Sequence, residues 1–417
     1  MKDLLKLAWR NIWRNWRRTI LTSFAVAFAV ISIIFAQSYI KGIFESYTEN
    51  FIKTETGHVK IASREFLRLE RVMPKEHLIY DSQNIEESLS VLPGISSMTE
   101  RIKFYLILSH EEKNEPCVAV GINPDQETNF LNLEQYLIQG NYFQTSSQEM
   151  IIGYRLAEKL GVSLGDELLA VTTDINYSTY ALTFTVAGIF KTGSTYMDKN
   201  FFYISLKKAQ ELLDCAGAVH EIFLLVEEPE TAPEIASIIQ NLLKEKDLDE
   251  TLISIPWQEH FMIKIIGPFA SNFYASIMLI IMLIAGLVIL NTMLMAVLER
   301  THEIGIIKSM GMRDKEIVFL ILIEALFIGL LGTSIGGLLG SSLSIIVQNT
   351  GIDFSQVMEN MEVPVPFLFT TIYPKFTLLI LIVSVSFGLV TTLLAALYPA
   401  FKASRMTPVD ALRTSLK

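Results

Sequence analysis

Four long runs of apolar residues dominate the hydrophobic pattern of this chain. They cover Ile20–Ile40, Phe269–Leu298, Ile317–Val347 and Phe376–Phe401. Glu324, in the third run, is the single charged residue in all four. A helix needs about 20 apolar residues to cross a hydrocarbon core of about 30 Å. The pattern therefore predicts four transmembrane helices.

The segment before the first run has a different pattern. Its apolar side chains recur at helical spacing and basic side chains lie between them; the apolar set is Leu5, Trp9, Ile12, Trp13, Trp16 and Ile20. This is typical of an amphipathic helix that lies in the membrane interface. The first run also exceeds the 7–15 apolar residues of a secretory signal. We therefore expect the N-terminal segment to be retained.

Lysine and arginine predict the orientation. Residues 1–18 contain six basic side chains, 299–316 contain four and 401–417 contain four, whereas 349–375 contain only Lys375. Basic loops stay in the cytoplasm. We therefore expect both termini and the 299–316 loop to be cytoplasmic, with residues 41–268 on the other side.

The segment 41–268 has the mixed pattern of an α+β domain. Apolar positions continue at helical spacing beyond Ile40 and begin again near Trp257, which predicts two helical stalks, the second interrupted at Gly267-Pro268. Strand–helix–strand patterns flank a middle part that is richer in strand and turn signals. We therefore predict a split α+β part, about 50–109 and 205–256, with an inserted β-rich lobe at about 110–204.

The predicted fold class is a membrane α-helical protein of four transmembrane helices, with a large extracytoplasmic α+β domain between helices 1 and 2. The predicted segments are a cytoplasmic amphipathic interfacial helix at 1–18, transmembrane helices at 19–40, 269–298, 317–347 and 376–401, the extracytoplasmic domain at 41–268, a cytoplasmic loop at 299–316, a short extracytoplasmic loop at 348–375 and a cytoplasmic tail at 402–417.

Composition and charge narrow the function. The chain is 51% apolar with a net charge of −10, and an acidic chain does not favour nucleic acid as a partner. No phosphate-binding glycine loop, zinc-binding histidine pair or nucleophile elbow occurs, so we expect no catalytic or metal site. Cys117 and Cys215 both fall in the predicted outer domain, where an oxidising compartment permits pairing, but their spacing does not settle whether they pair.

Three sequence motifs resemble one known family. The loop reads ERTHEIGIIKSMG over 299–311, the chain closes with YPAFKASRMTPVDALR over 398–413, and IIGYRLAEKLGVSLGD occupies 151–166, followed by VAGIF at 186–190. All three resemble the corresponding segments of the MacB/LolC–LolE/FtsX-like ABC transporter permeases. Length and the split outer domain are closest to the lipoprotein-releasing LolC/LolE group, although the 171–185 hairpin lacks a proline-rich hook.

The resemblance implies a protein that transmits force and is not itself an enzyme. The loop would be a coupling helix that docks on a separate ABC ATPase dimer, with ATP and Mg²⁺ held by that partner and no cofactor held by this chain. The loop positions that match are Glu303, Ile304, Gly305, Ile307, Lys308 and Gly311. From the residues alone, Ile304, Ile307 and Met310 form a short apolar face that either lipid or a partner groove would cover. The tail has two open roles, contact with the ATPase and membrane exit.

The third apolar run carries small residues and one acid. Gly332, Gly336, Gly340 and Ser344 recur every four residues, which allows close helix packing within one chain or between subunits. Glu324 would lie about two turns inside the membrane, where either a structural hydrogen bond or proton coupling is open.

Four helices are few for a transport path, so we expect a second copy or a paralogue of this chain. An apolar cavity between the first two helices would suit lipid-like substrates, although ordinary packing explains the same residues. Its candidate lining residues are Phe35, Tyr39, Phe44, Phe269, Phe273, Met278 and Met282.

The resemblance implies a permease subunit in a bacterial inner membrane that extracts lipoproteins or other amphiphiles from the outer leaflet, with a periplasmic chaperone or adaptor as a further candidate partner. Two alternatives within the family are a MacB-like efflux component and an FtsX-like regulator that transports nothing. An alternative from another class is a membrane-anchored sensor or scaffold.

Overall fold

The computed structural model describes residues 2–14, 16–80, 82–145, 147–354 and 371–407. The chain divides into two compact units. The helical unit comprises Met1–Phe44, Pro268–Ile352 and Ile372–Lys417, and the head unit comprises Glu45–Gly267 and Asp353–Thr371. The end of the C-terminal motif, 408–413, and most of the predicted 348–375 loop lie outside the described residues.

The helices differ greatly in length, and the long ones are the apolar ones. In chain order they are α1 (Lys2–Arg14), α2 (Trp16–Phe51), α3 (Arg64–Arg68), α4 (Ser82–Ser90), α5 (Pro124–Glu127), α6 (Tyr154–Leu160), α7 (Thr195–Asn200), α8 (Leu206–Leu213), α9 (Ala232–Glu245), α10 (Phe261–Glu299), α11 (Thr301–Ser309), α12 (Asp314–Thr350) and α13 (Leu378–Ser404).

Within the described residues, four helices are long and apolar enough to cross a membrane: α2, α10, α12 and α13. The mean hydropathy of their most apolar 18-residue windows lies between 2.4 and 2.8. The sequence predicted a break at Gly267-Pro268, but α10 runs through Pro268 without interruption. Proline removes one backbone hydrogen bond from a helix interior without forcing the helix to end.

The helical unit has an aliphatic core shared by its long helices. Val30 of α2, Ile289 of α10, Ile321 of α12 and Ala396 of α13 belong to the same buried cluster. On α1, Ala8 is buried with residues of α12, while Trp9 and Trp13 are about half exposed. One face of α1 therefore packs on the helical unit, and the ring of Trp9 also contacts that of Phe327 on α12, with centroids 5.5 Å apart.

The head unit is built on one sheet of ten strands among the residues described. The strands are β1 (Val59–Ser63), β2 (Ile95–His110), β3 (Lys113–Ile122), β4 (Leu137–Gly140), β5 (Glu149–Gly153), β6 (Glu167–Thr173), β7 (Thr179–Phe190), β8 (Phe201–Ser205), β9 (Glu221–Val226) and β10 (Leu252–Pro256), with two-residue strands β11 (Ile352–Asp353) and β12 (Thr371–Ile372) outside this sheet. The order is β10-β1-β9-β2-β3-β8-β5-β7-β4, and β6 pairs with β2 and β7.

The long strand β2 joins the two parts of the head that the sequence suggested were separate. Its first half pairs antiparallel with β9, and its second half pairs antiparallel with β3. The strands of the middle segment therefore continue the same sheet. Alternate side chains of β3 fill clusters on opposite faces of the sheet, and Cys117 and Cys215 are buried free thiols in one of these clusters.

Candidate functional site

The short helix α11 follows the end of α10 after a single residue, Arg300. It ends at Ser309, and the chain then turns at Gly311, whose φ is +99°. An L side chain rarely adopts this backbone conformation, so glycine suits the turn into α12. The loop that carries the ERTHEIGIIKSMG motif is therefore a helix held between two long apolar helices.

A buried ion pair fixes the start of α11. Arg300 Nη1 lies 3.2 Å from both carboxylate oxygens of Glu324 on α12. Asn11 of α1 donates from Nδ2 to Glu324 Oε1 at 2.6 Å, and its carbonyl accepts from Arg300 Nη2 at 3.0 Å. Arg300 and Glu324 expose only 14% and 13% of their side chains. Glu324 thus has two partners, and α1, α11 and α12 meet at one polar cluster.

Lys308 fixes the other end of α11. Its ammonium donates to the carbonyls of Ser404 at 2.5 Å and Met406 at 2.9 Å, and it lies 2.8 Å from Asp314 Oδ1. The two carbonyls lie at the end of α13, where unpaired backbone acceptors favour a cation. Glu303 also forms an ion pair with Arg14 of α1. Contacts to α1, α12 and α13 therefore hold α11.

The apolar side chains of α11 point in different directions. Ile304 packs against the core of the helical unit, and Ile307 lines a small cavity with Met293 and Ile317. Ile306 and Met310 are 42% and 82% exposed. The sequence grouped Ile304, Ile307 and Met310 on one face, but a three-residue step falls short of a 3.6-residue turn. Met310 therefore does not share a face with Ile304, and it lies beyond the end of the helix.

The small residues of α12 form two packing faces within the helical unit. A Cβ placed on Gly332 would lie 2.7 Å from the Ser23 carbonyl oxygen, and one on Gly336 would lie 2.7 Å from that of Ala27. A Cβ on Gly340 would lie 3.1 Å from Ile31 Cα, and Ser344 is fully buried. This ridge faces α2.

A second ridge of α12 faces α13. A Cβ on Gly329 would approach Leu389 to 3.2 Å, and one on Gly337 would approach Leu381 to 3.2 Å. The glycines therefore serve close packing within this chain.

The chain matches two family models, and both fall on these features. The FtsX-like permease C-terminal model matches residues 275–408, which include α11 and its partners on α12 and α13. The MacB-like periplasmic core domain model matches residues 19–242, more than half of the chain. The chain belongs to the MacB/FtsX family of ABC transporter permeases. Permeases of this family are membrane-spanning subunits that work with ATPase partners.

Curated relatives of the permease carry two kinds of name. The lipoprotein-releasing system transmembrane protein LolC of Buchnera aphidicola is 24% identical over 421 residues, covering 97% of this chain and 96% of that protein. LolC of Xylella fastidiosa is 22% identical over 314 residues, covering 72% and 74%. The macrolide export ATP-binding/permease protein MacB of Bdellovibrio bacteriovorus is 32% identical over 143 residues, covering 34% and 19%.

Solved structures resemble the permease over about half its length. The extracellular domain of the ABC-type transporter YknZ has a TM-score of 0.36 at 13% identity and covers 47% of this chain and 98% of that domain. The periplasmic region of MacB from Actinobacillus actinomycetemcomitans has a TM-score of 0.35 at 16% identity and covers 50% and 93%.

The aromatic residues predicted to line a substrate cavity lie along α2 and α10 of the permease. Phe35 stacks on Tyr39, and Phe269 on Phe273, each with ring centroids 6.3 Å apart. Phe269 and Phe273 are mostly exposed, and Phe44 is half-buried. The other two candidate lining residues are methionines. Gln37 Nε2 lies 3.3 Å from the sulfur of Met278, and Met282 lines a small cavity with Val26 and Ile33.

Sequence reasoning missed the partners that hold the site together. Asn11, Arg14 and Arg300 were not among the predicted site residues, although each contacts one that was. A signal that Glu324 has a partner was present, because an acid in an apolar helix requires one. That signal did not single out Arg300, because Lys308, Arg313 and Lys315 all lie nearer to Glu324 along the chain.

Proposed function

We propose that this permease couples ATP hydrolysis by a separate ATPase subunit to movements of its head unit outside the cytoplasm. The observation that carries this proposal is the geometry of α11. Contacts from Arg300 and Lys308 bind it to α1, α12 and α13, so a displacement of α11 must move these helices too. Ile306 and Met310 remain exposed and offer an apolar contact to the ATPase. ATP and Mg²⁺ would bind to that partner.

The proposed orientation has both termini and α11 in the cytoplasm of a bacterial inner membrane. Basic side chains concentrate in the N-terminal segment, the α11 segment and the tail, which supports this orientation by the positive-inside rule. The head unit would then lie on the periplasmic side.

A second copy or a paralogue would complete the transport path. The most apolar window of α10 is only 6% buried within this chain, compared with 50% for α12. Lipid or a second permease subunit must cover this surface. The exposed Phe269 and Phe273 would then line a path for lipid-like substrates between subunits.

For the substrate, we propose lipoproteins or similar amphiphiles in the outer leaflet of the inner membrane. The support is the extent of similarity to LolC, which reaches 97% of this chain in one relative, whereas the MacB relative covers 34%. A periplasmic chaperone or adaptor would receive the extracted molecule. Efflux is the second candidate, because the MacB-like model matches the head.

The docking proposal is tested by co-purification of the membrane-embedded permease with its ATPase. We expect Ile306→Asp with Met310→Asp to abolish the complex, because two charges would replace the exposed apolar contact. Ile138→Asp, at a head residue that is 52% exposed, is the matched control and should leave binding unchanged. Equal ATPase recovery from all three proteins would refute docking through these residues.

The substrate proposal requires a second measurement. In proteoliposomes that contain the complete transporter, we expect ATP-dependent release of a labelled triacylated lipoprotein and no ATP-dependent accumulation of a labelled macrolide. Macrolide accumulation without lipoprotein release would contradict the extraction of lipoproteins and favour efflux as the function.

A further inference from the structure

The long helix α2 ends in the head unit against buried cations. A π-helical turn, Ile52–Thr56, continues it, and the last carbonyls of this turn accept from side chains of the sheet. Arg101 donates to the carbonyls of Lys53 and Thr54, and Lys60 donates to the carbonyl of Glu55 at 3.1 Å. The C-terminal end of a helix has unpaired carbonyls and a partial negative charge. The cations therefore cap this helix end.

These cations are buried, and acids balance them. Arg101 and Lys60 expose 2% or less of their side chains. Arg101 forms an ion pair with Glu127, and Lys60 forms one with Glu221. Burial alone would lower the pKa of Lys60, but Glu221 and Glu70 together raise it, so the ammonium stays charged.

A third cation and an aromatic ring complete the group. Lys103 lies 2.8 Å from Glu55 and 3.5 Å from Glu221. The ring of Phe223 lies under all three cations, with its centroid 4.6 Å from the Arg101 guanidinium carbon and about 5.5 Å from each lysine nitrogen. A ring face attracts cations without adding a charge.

The same group reaches the start of the second long helix. Glu70 lies 2.5 Å from Lys60 and 3.1 Å from His260 Nε2. His260 immediately precedes α10, and its carbonyl accepts from Lys264 in the first turn at 3.0 Å. The His260 ring also contacts Phe51, the last residue of α2, at 4.9 Å. The ends of α2 and α10 thus meet in one network. We call it the junction; its members are Glu55, Lys60, Glu70, Arg101, Lys103, Glu127, Glu221 and His260.

We propose that the junction makes the ends of α2 and α10 move together with the sheet, so that helix displacement is transmitted to the head as one motion. This inference rests on the proposed function for its purpose, but its contacts are independent of that function. Separating the end of α2 from the junction would leave N–H groups of the buried Arg101 and Lys60 without their carbonyl acceptors, which is unfavourable for a buried charged group. Arg101 is the main positioning residue, because its planar fork binds Glu127 and two helix carbonyls at once.

One wall of the junction is open to a cavity of about 760 Å³ in the head unit, which Glu55, Glu70, Lys103, Glu221 and His260 help to line. Water can therefore reach this wall. The backbone amides of residues 52–57 can then exchange their hydrogens whenever the junction opens, and the whole sheet need not unfold.

The test replaces the buried pair by apolar residues. Arg101→Met alone leaves Glu127 unpaired and should destabilise the head. Adding Glu127→Leu removes both charges and should restore the unfolding temperature towards wild type, because an apolar pair can replace a buried ion pair. The carbonyls of Lys53 and Thr54 lose Arg101 as their donor in the double variant, and Thr54 keeps a longer contact of 3.4 Å with Lys103 Nζ. We therefore expect exchange at 52–57 at least tenfold faster than in wild type.

The measurement is hydrogen exchange with mass spectrometry on the full chain in nanodiscs. The matched control is Lys159→Met with Glu115→Leu, which removes a more exposed ion pair of the same unit with a 2.6 Å separation. It should leave exchange at 52–57 unchanged. Wild-type exchange at 52–57 in the Arg101→Met, Glu127→Leu variant would overturn the proposal.

A second measurement of hydrogen exchange, with the ATPase partner present, distinguishes failure of this inference from failure of the proposed function. Wild type should show an ATP-dependent change of exchange in the head, and the Arg101→Met, Glu127→Leu variant should bind the ATPase but lose that change. A variant that keeps the full ATP-dependent change overturns the junction. A wild-type chain that never binds an ATPase overturns the proposed function, while the exchange at 52–57 still decides the junction.

Discussion

Individual polar residues hold together two clusters in this molecule, the one around Glu324 and the junction. In both clusters the contacts join residues that are far apart in sequence. Glu324 could be singled out from the sequence, because a lone acid in an apolar helix must find a partner. Its partners Arg300 and Asn11 could not be assigned, since Asn11 lies 313 residues away. Arg101 gave no signal at all, because a basic residue in a half-polar strand is ordinary until its surroundings are known.

The orientation of the α11 side chains could not be predicted from the sequence either, although these residues lie close together along the chain. Apolar spacing correctly indicated a short helix, but its grouping of Ile304, Ile307 and Met310 on one face was wrong. Which of Ile304, Ile306 and Ile307 faces outward depends on how α11 packs against α10 and α12, and that packing is set by Arg300 and Lys308. The docking test therefore uses the exposed Ile306 and Met310.

His220 makes the stability of the head depend on pH. It is fully buried, stacks on Phe66 at 4.8 Å, and accepts from the Lys103 backbone amide through Nδ1 at 3.2 Å. Burial, aided by Lys103 and opposed by Glu221, lowers the pKa of His220 to about 4. Below its ordinary pKa of 6.5, the unfolded chain binds the proton and the folded chain does not.

We therefore expect the head to lose up to about 3 kcal/mol of stability from this residue as pH falls from 6.5 towards 4. Above 6.5 its contribution is constant. Thermal unfolding of His220→Gln between pH 6.5 and 5 should depend less steeply on pH than that of wild type. The pKa of His58 is also lowered by burial, so some dependence should remain. His302→Gln, at an exposed histidine, is the control; identical slopes for all three proteins would contradict this expectation.

At the scale of elements, apolar and alternating patterns locate most helices and strands. The first three runs that predicted transmembrane helices fall within α2, α10 and α12, and the fourth begins two residues before α13. The sequence did not predict which strands pair. In the sheet β9 lies between β1 and β2, and β3 pairs parallel with β8, which comes about 80 residues later in the chain. Such neighbours depend on how the whole sheet closes, which no local pattern encodes.

The glycines of α12 allow a sharp test of helix packing. We expect Gly332→Ala to destabilise the helical unit by about 1–3 kcal/mol, because the new Cβ would lie 2.6 Å from Val26 Cβ and 2.7 Å from the Ser23 carbonyl. The backbones of α2 and α12 must then separate. Thermal unfolding of the purified protein, followed by circular dichroism, measures the change.

Gly286→Ala on α10 is the matched control. Its Cβ would lie 3.7 Å from Thr391, an ordinary contact, and alanine favours the helix. This variant should match or exceed wild-type stability. If Gly332→Ala were as stable as Gly286→Ala, close packing of α12 on α2 would be wrong.

For the whole molecule, family membership and the two polar clusters, the one around Glu324 and the junction, support the proposal that the permease relays motion. The contacts around α11 belong to the helical unit, and the junction belongs to the head unit; α2 and α10 run through both units as continuous helices. Sequence motifs identified the family, since the loop, head and tail patterns are local. The junction could not be inferred in this way, because it assembles residues from six separate stretches of the chain.

Spin labels can report whether nucleotide moves the head relative to the helical unit. Val72→Cys on the head and Asn349→Cys near the end of α12 are both exposed labelling sites. Burial raises the pKa of Cys117 to about 12 and that of Cys215 to about 11, so these native thiols should react slowly with the label at neutral pH.

The deciding measurement is the electron–electron distance between these two labels in nanodiscs that contain the permease and its ATPase, with labelled chains diluted by unlabelled ones. We expect trapping with ATP and vanadate to shift the distance distribution in wild type and to leave it unchanged in the Ile306→Asp, Met310→Asp variant. An unchanged distribution in a wild-type complex that has trapped nucleotide would contradict the transmission of ATP-driven motion from α11 to the head.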